Sequence, residues 1–227
     1  MPSRRKSLIF SLASFTSICS FVIVCLVLAT KNWVSSTITY TGRNSSVAIF
    51  ITYGLFEGFC SEVVQAGIGR GETKFQVSIW NLPENLKHFN IAIIILLVLS
   101  LASSVLSSGF TCYNAMSNPY ETFLGPVGVY TWNSISSVCS LLTLILFAVN
   151  VEANKLSVEL AITYCDESSR QSAHSNSYKY SYWLMLLIVL LNAATISIIV
   201  YYQHARYSEK KARERPMESA PKDGILF

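Results

Sequence analysis

Four stretches of this chain, residues 8–29, 89–113, 127–149 and 180–202, contain no Asp, Glu, Lys, Arg or His. A helix of about 20 mostly apolar residues crosses the hydrocarbon core of a bilayer. One ionised side chain at the centre of such a helix costs about 2.5–3.5 kcal/mol on insertion scales. Four clean windows in 227 residues therefore restrict the fold to an all-α membrane bundle of four transmembrane helices. The charged share of the whole chain, 13%, agrees with this, since soluble domains carry about a quarter.

The first window follows Arg4, Arg5 and Lys6, an order that a signal peptide also shows. A signal h-region is shorter, about 7–15 residues, and ends at a small-residue cleavage site. Val27-Leu28-Ala29 before Thr30-Lys31 is a poor one, so an uncleaved anchor is expected. Basic residues crowd the cytoplasmic ends of spans. They lie in 1–7 and in the tail 203–227, where Arg206, Lys210, Lys211, Arg213, Arg215 and Lys222 follow the last window. Both termini and the 114–126 connection are thus expected in the cytoplasm, with 30–88 and 150–179 outside. The N-x-[ST] sequon at Asn44 falls in the first outer loop, as a glycosylation site must.

That loop is too long to be structureless. Residues 33–40 and 47–53 are rich in β-branched and aromatic side chains, and 74–80 alternates with period two. A small antiparallel sheet in the first outer loop is predicted. Gly67-Ile68-Gly69-Arg70-Gly71 lacks phosphate-loop spacing and reads as a turn. In the second outer segment, Val151, Leu156, Leu160 and Tyr164 continue the third helix beyond the bilayer, and the Ser-rich 166–179 reads as a flexible connection. Cys60 and Cys165 are the one pair of cysteines in polar segments. They form a disulfide or remain two thiols; no spacing rule decides. Cys112, near the inner end of the second span, is a palmitoylation candidate or a plain buried thiol.

Small residues recur every four positions at Ala13 and Ser17, at Ser100, Ser104 and Ser108, and at Ser136 and Ser140. Such stripes bring helices together in lipid. Asn133 and Asn192 are the amides deep in the spans, and interhelical hydrogen bonding is the expected role, with ion or substrate ligation as the alternative. No carboxylate or base lies in a window for a proton relay or an intramembrane hydrolase, and His88, His174 and His204 sit at or beyond the span ends. Metal-ligand and nucleotide motifs are absent from the sequence, so neither catalysis, a cofactor nor nucleic-acid binding is expected.

Between spans two and three, Pro119 and Gly125-Pro126 end the helices around a short turn whose single charge is Glu121. In the tail, 207–215 extends the last helix, meets anionic headgroups or is a solvated flank. The terminal Ile225-Leu226-Phe227 suits strand addition to a PDZ groove, with an ordinary free terminus as the alternative.

Met1-Pro2-Ser3, Tyr53-Gly54-Leu55-Phe56-Glu57-Gly58, Tyr113-Asn114-Ala115, the block from Asn118 through Pro119-Tyr120-Glu121 and Gly125-Pro126 to Tyr130, and the tail segments 215–218 and 224–227 resemble the clarin family, most closely its third member. The resemblance covers nearly the whole chain. More distantly, Trp33 and Gly54-Leu55-Phe56 are similar to the first-loop pattern of the claudin and tetraspan superfamily. Cys60 stands at the place of that pattern's first cysteine, but no Cys occurs from 61 to 88, so its disulfide does not carry over. The resemblance implies a non-enzymatic organiser or accessory subunit in the plasma membrane of sensory cells, with a role in hearing. Its partners would be lipid, other membrane proteins met through the helix faces and first outer loop, and a PDZ scaffold at the tail. Claudin-like adhesion and an ion-channel auxiliary role are the alternatives.

Overall fold

The computed structural model describes residues 2–41, 46–64, 69–116, 125–165 and 171–218. Four long helices form the bundle: α1 (Pro2–Ala29), α2 (Glu84–Met116), α3 (Gly125–Glu152) and α5 (Tyr180–Glu218). All four are long and apolar enough to cross a membrane. They close a ring in which α1 packs on α2, α2 on α3, α3 on α5 and α5 on α1. Leu8, Phe15, Ile95, Val105, Val138, Ile145 and Leu190 point outward, as lipid requires. The buried face carries Ser17, Ser20, Ser100, Ser104, Ser107, Ser136 and Ser140. This inversion of the soluble pattern follows from the solvent: hydrocarbon takes leucine, and helix contact takes small hydroxyls.

One end of the bundle carries a five-stranded antiparallel sheet in the order β4-β3-β2-β1-β5, with β1 Val34–Thr41, β2 Ser46–Tyr53, β3 Glu57–Val64, β4 Gly69–Gln76 and β5 Gln171–Tyr178. Val34, Ile38, Tyr40, Ile49, Ile51, Tyr53, Cys60 and Phe75 fill its inner face. The alternation along β1 and β2 is the period-two signal, with Ser36, Ile38, Ile49 and Ile51 each flanked by less buried residues.

The sheet departs from expectation in three places. The segment read as a flexible connection supplies β5, so the sheet draws on both connections at this end of the bundle. Gln-Ser-Ala-His-Ser-Asn-Ser-Tyr has no apolar alternation; the strand exists because β1 offers a free edge, with Ile38 opposite His174 and Ser36 opposite Asn176. Gly69 to Gly71 opens β4 instead of forming a turn, while Ile79 and Trp80 lie in a 3-10 turn, Ile79–Asn81. Strand β3 was hidden by its mixed residues, Glu-Gly-Phe-Cys-Ser-Glu-Val-Val.

The third long helix does not continue to Tyr164. It stops at Glu152, and Lys155, with φ 55° and ψ 42°, sits in the left-handed region before a separate helix α4 (Leu156–Tyr164). The kink lays α4 on the inner face of the sheet, burying Leu156, Val158, Leu160 and Ala161 in one core with Ile38, Ile49 and Ile51. A straight helix would leave that face open to water. At the opposite end, the charged run after span four is helical, since α5 extends to Glu218.

Candidate functional site

Within the bundle the polar side chains bond to one another. Asn192 of α5 accepts from Ser20 Oγ of α1 at 2.9 Å and donates to Ser136 Oγ of α3 at 3.1 Å. Ser136 also meets Ser100 and Ser104 of α2 at 2.9 and 3.2 Å. Asn133 donates to Ser107 Oγ at 2.6 Å and to the Val129 carbonyl at 2.8 Å, and Ser17 donates to Ser107 at 3.0 Å. Thr16 and Thr195 lie 2.7 Å apart. All four spans are thereby joined through one seam of hydroxyls and amides. Ser108, grouped by spacing with Ser100 and Ser104, is not part of it: its hydroxyl donates to the Val105 carbonyl of its own helix. Ser103 and Ser107 take its place on the buried face, because a 3.6-residue turn drifts off a strict spacing of four.

The sheet is anchored to the bundle by the residues singled out between the first two spans. Trp33 is fully buried, donates from Nε1 to the Val27 carbonyl of α1 at 3.0 Å and packs on Phe147 of α3 at 4.7 Å between ring centroids. Its backbone accepts from Lys179 N at 2.9 Å and donates to the Tyr53 carbonyl at 3.1 Å, so β1, β2 and β5 all converge there. Gly54 lies where a Cβ would collide with the Thr30 carbonyl and approach Lys31 Cα to 2.9 Å. Only glycine lets β2 end against the α1–β1 junction. Leu55 is buried beside it, whereas Phe56 is 45% exposed.

A second network was not legible in the sequence. Tyr53 OH and Ser157 Oγ are 2.7 Å apart; Ser157 and Ser36 donate to Asn176 Oδ1 at 3.1 and 2.8 Å. Asn176 Nδ2 and Tyr178 OH then donate to Glu152 Oε1 at 3.3 and 3.1 Å. Burial holds the Tyr53 phenol above its ordinary pKa, and burial with the Glu152 bond does the same for Tyr178. These phenols act as hydrogen-bonding staples between strands and helices. At the sheet base, Glu57 pairs with Lys31 at 2.8 Å and Lys74 at 3.2 Å, and these hydrogen bonds hold its carboxyl below the usual range. Opposed registers of β3 and β4 make this cluster, and a sequence gives no register.

Cys60 of β3 and Cys165 after α4 form a disulfide with Cα atoms 6.2 Å apart. Tyr164 stacks on Phe75 at 4.9 Å and accepts from Ser78 N at 2.9 Å beside it. Cys112 lies exposed on α2 near the end of that helix. Gly125, with φ 55°, opens α3 and Pro126 follows at the helix start, where a missing N–H costs nothing. Asn44, Pro119, Tyr120, Glu121, Ile225, Leu226 and Phe227 lie outside the described residues.

The outer face of the sheet is open. Phe50 is 42% and Val63 46% exposed, with Phe59 half-buried under the Lys31 ammonium at 4.8 Å. Ser35, Thr37, Thr39 and Thr52 surround them on the same face. Among the described residues no group of three or more His, Cys, Asp or Glu is placed to hold a metal ion.

This arrangement of four apolar spans under one sheet coincides with a family match. A family model described as Clarin-2-like covers residues 5–200. The chain belongs to the clarin family. As a clarin it is 47% identical over 228 residues to Clarin-3 of Homo sapiens, covering 100% of both chains. It is 30% identical over 199 residues to Clarin-1 of Homo sapiens, covering 82% of this chain and 83% of that one. Clarin-2 of Homo sapiens is 26% identical over 217 residues, covering 89% and 90%. This clarin is a multi-pass membrane protein whose apolar helix faces meet lipid.

Proposed function

We propose that this clarin is a non-enzymatic organiser or accessory subunit of a membrane-protein complex, held in the plasma membrane with both termini in the cytoplasm. One observation carries the reading. Asn133, Asn192 and the serines they meet bond one span to another, while the sheet turns Phe50, Phe59 and Val63 outward. A seam in which both deep amides are spent on contacts between helices suits a scaffold. An apolar patch ringed by serine and threonine suits a protein partner.

In this reading the sheet faces the cell exterior with Asn44 glycosylated between β1 and β2, and the tail engages a PDZ domain through Ile225, Leu226 and Phe227. Cys112, exposed on α2, is a palmitoylation site in the same scheme. The family resemblance adds a role in sensory cells and hearing. Phe50→Ser/Val63→Ser should lower proximity labelling of neighbouring membrane proteins at unchanged surface expression. An unchanged labelling profile would remove the sheet face from the proposal.

A further inference from the structure

We propose that the turn before α2 is a lipid-docking foot. Trp80 and Lys87 enter the headgroup layer at the sheet-bearing end, with the indole among the glycerol backbones and the ammonium on a lipid phosphate. This contact goes beyond the organiser reading and is independent of which side of the membrane the sheet faces.

Trp80 stands in the 3-10 turn Ile79–Asn81 and is 82% exposed. Its surroundings hold it there. Leu82 and Leu86, which follow it, are buried in the core, and Ser78 N, which precedes it, donates to Tyr164 OH at 2.9 Å. Lys87 of α2 places its ammonium over the ring, 4.5 Å from the centroid. An indole has an apolar body and one polar N–H, and a lysine has an apolar stem and a charged tip. Both suit the boundary between hydrocarbon and water, where tryptophan is enriched in membrane proteins.

Helix α2 aims the pair at lipid. Lys87, Val98 and Val105 recur at close to whole numbers of 3.6-residue turns, so they share one stripe of the helix. Val98 and Val105 are exposed on the apolar outside of the bundle. The lipid-facing stripe of α2 therefore ends in Lys87, and Trp80 caps it.

Depth along α2 agrees. Lys87 and Tyr113 are separated by about 39 Å of helix at 1.5 Å per residue. At the average tilt of about 20° this covers about 37 Å along the bilayer normal. With the exposed Tyr113 at one edge of a hydrocarbon core of about 30 Å, Lys87 lies about 7 Å beyond the other edge, in the headgroup layer. Glu84, the acid of that first turn, stands about 4.5 Å farther out, so the cation is the charge nearer the phosphates. On α5, Tyr180 and Trp183 are exposed at the same end, and Asn32 Nδ2 donates to Tyr180 OH at 3.1 Å. Exposed aromatics beside two separate spans form the belt that marks a membrane surface.

The test uses the full chain in phosphatidylcholine vesicles. Emission from Trp80 is read as the difference between the parent and Trp80→Phe, a change outside the core. That difference signal should lose most of its intensity to lipid bearing a nitroxide on its headgroup, and little to iodide supplied on both faces. Lys87→Glu should reverse the two, because phosphate repels a carboxylate. In vesicles of uncharged galactolipid, which has no phosphate, parent and Lys87→Glu should behave alike. A difference signal open to iodide and untouched by labelled lipid overturns the foot and leaves Trp80 to water or a protein partner. A Lys87→Glu signal as strongly quenched by labelled lipid as the parent's overturns the phosphate contact, and so does a gap between the two that persists in galactolipid.

Discussion

Replacing Asn192 with leucine tests whether the polar seam holds the bundle together. The amide is buried and links Ser20 of α1 to Ser136 of α3. Interhelical hydrogen bonds in membranes contribute about 0.6 kcal/mol on average and about 1.7 at most. Two lost bonds therefore cost about 1.2 kcal/mol, with a ceiling near 3.4. Leucine nearly matches asparagine in volume, so a cavity adds little. Ser136 retains Ser100 and Ser104 after the change, which keeps its hydroxyl satisfied. The expected loss is about 1–2 kcal/mol, a five- to thirty-fold shift toward unfolding. Ser197→Ala is the control: that hydroxyl is exposed and donates to the Ala193 carbonyl of its own turn, so its loss should stay within about 0.5 kcal/mol. Reversible unfolding in mixed micelles measures both, and a cycle with Ser20→Ala isolates the Ser20–Asn192 term. A zero coupling energy, or an Asn192→Leu protein as stable as the parent, would refute the seam as interhelical glue.

Gly54→Ala should lower the melting temperature of the sheet-bearing end, at a cost of about 1–3 kcal/mol, because its Cβ meets backbone at Thr30 and Lys31; Gly71→Ala, with no atom within 4 Å of the new Cβ, should melt near the parent. Cys165→Ser should destabilise the α4–β3 contact by less than the roughly 4.7 kcal/mol expected of a loop of about 100 residues in a free chain, since the spans already restrain the ends. Thermal melts with and without reductant check this: reductant should lower the parent toward the variant and leave the variant unchanged. The carboxyl of Glu57 is held below its ordinary pKa by Lys31 and Lys74, so its contribution is fully present above the unfolded carboxylate pKa, about 4.3. It is lost as pH falls through the lower folded value. Melts from pH 7 to 5 should therefore show a constant gap between parent and Glu57→Gln, and the gap should close below about pH 4; a gap that is constant down to pH 2 would refute the ion cluster.

Burial in lipid is decided residue by residue, and so the spans were plain before any coordinates. A window without charge either crosses a bilayer or leaves it, and no distant contact alters that cost. The roles of Asn133 and Asn192 as interhelical bonds followed from the same economy, and Trp33 and Gly54 stood out through family resemblance. Strand β5 was invisible because its polar residues have no periodicity of their own; its structure comes from the backbone of β1, more than 130 residues earlier. The break at Lys155 was hidden for a related reason. Helical spacing in Val151, Leu156 and Leu160 fits one straight helix or two, and only the apolar inner face of the sheet, waiting to be covered, selects two. Sequence alone thus determined that four uncharged helices cross a membrane, because solvent acts locally. Tertiary structure decided which hydroxyls meet, that α4 folds onto the sheet with Cys165 against Cys60, and that 171–178 joins the sheet beside β1. Those outcomes depend on register and proximity between segments far apart in the chain, and no local pattern encodes them.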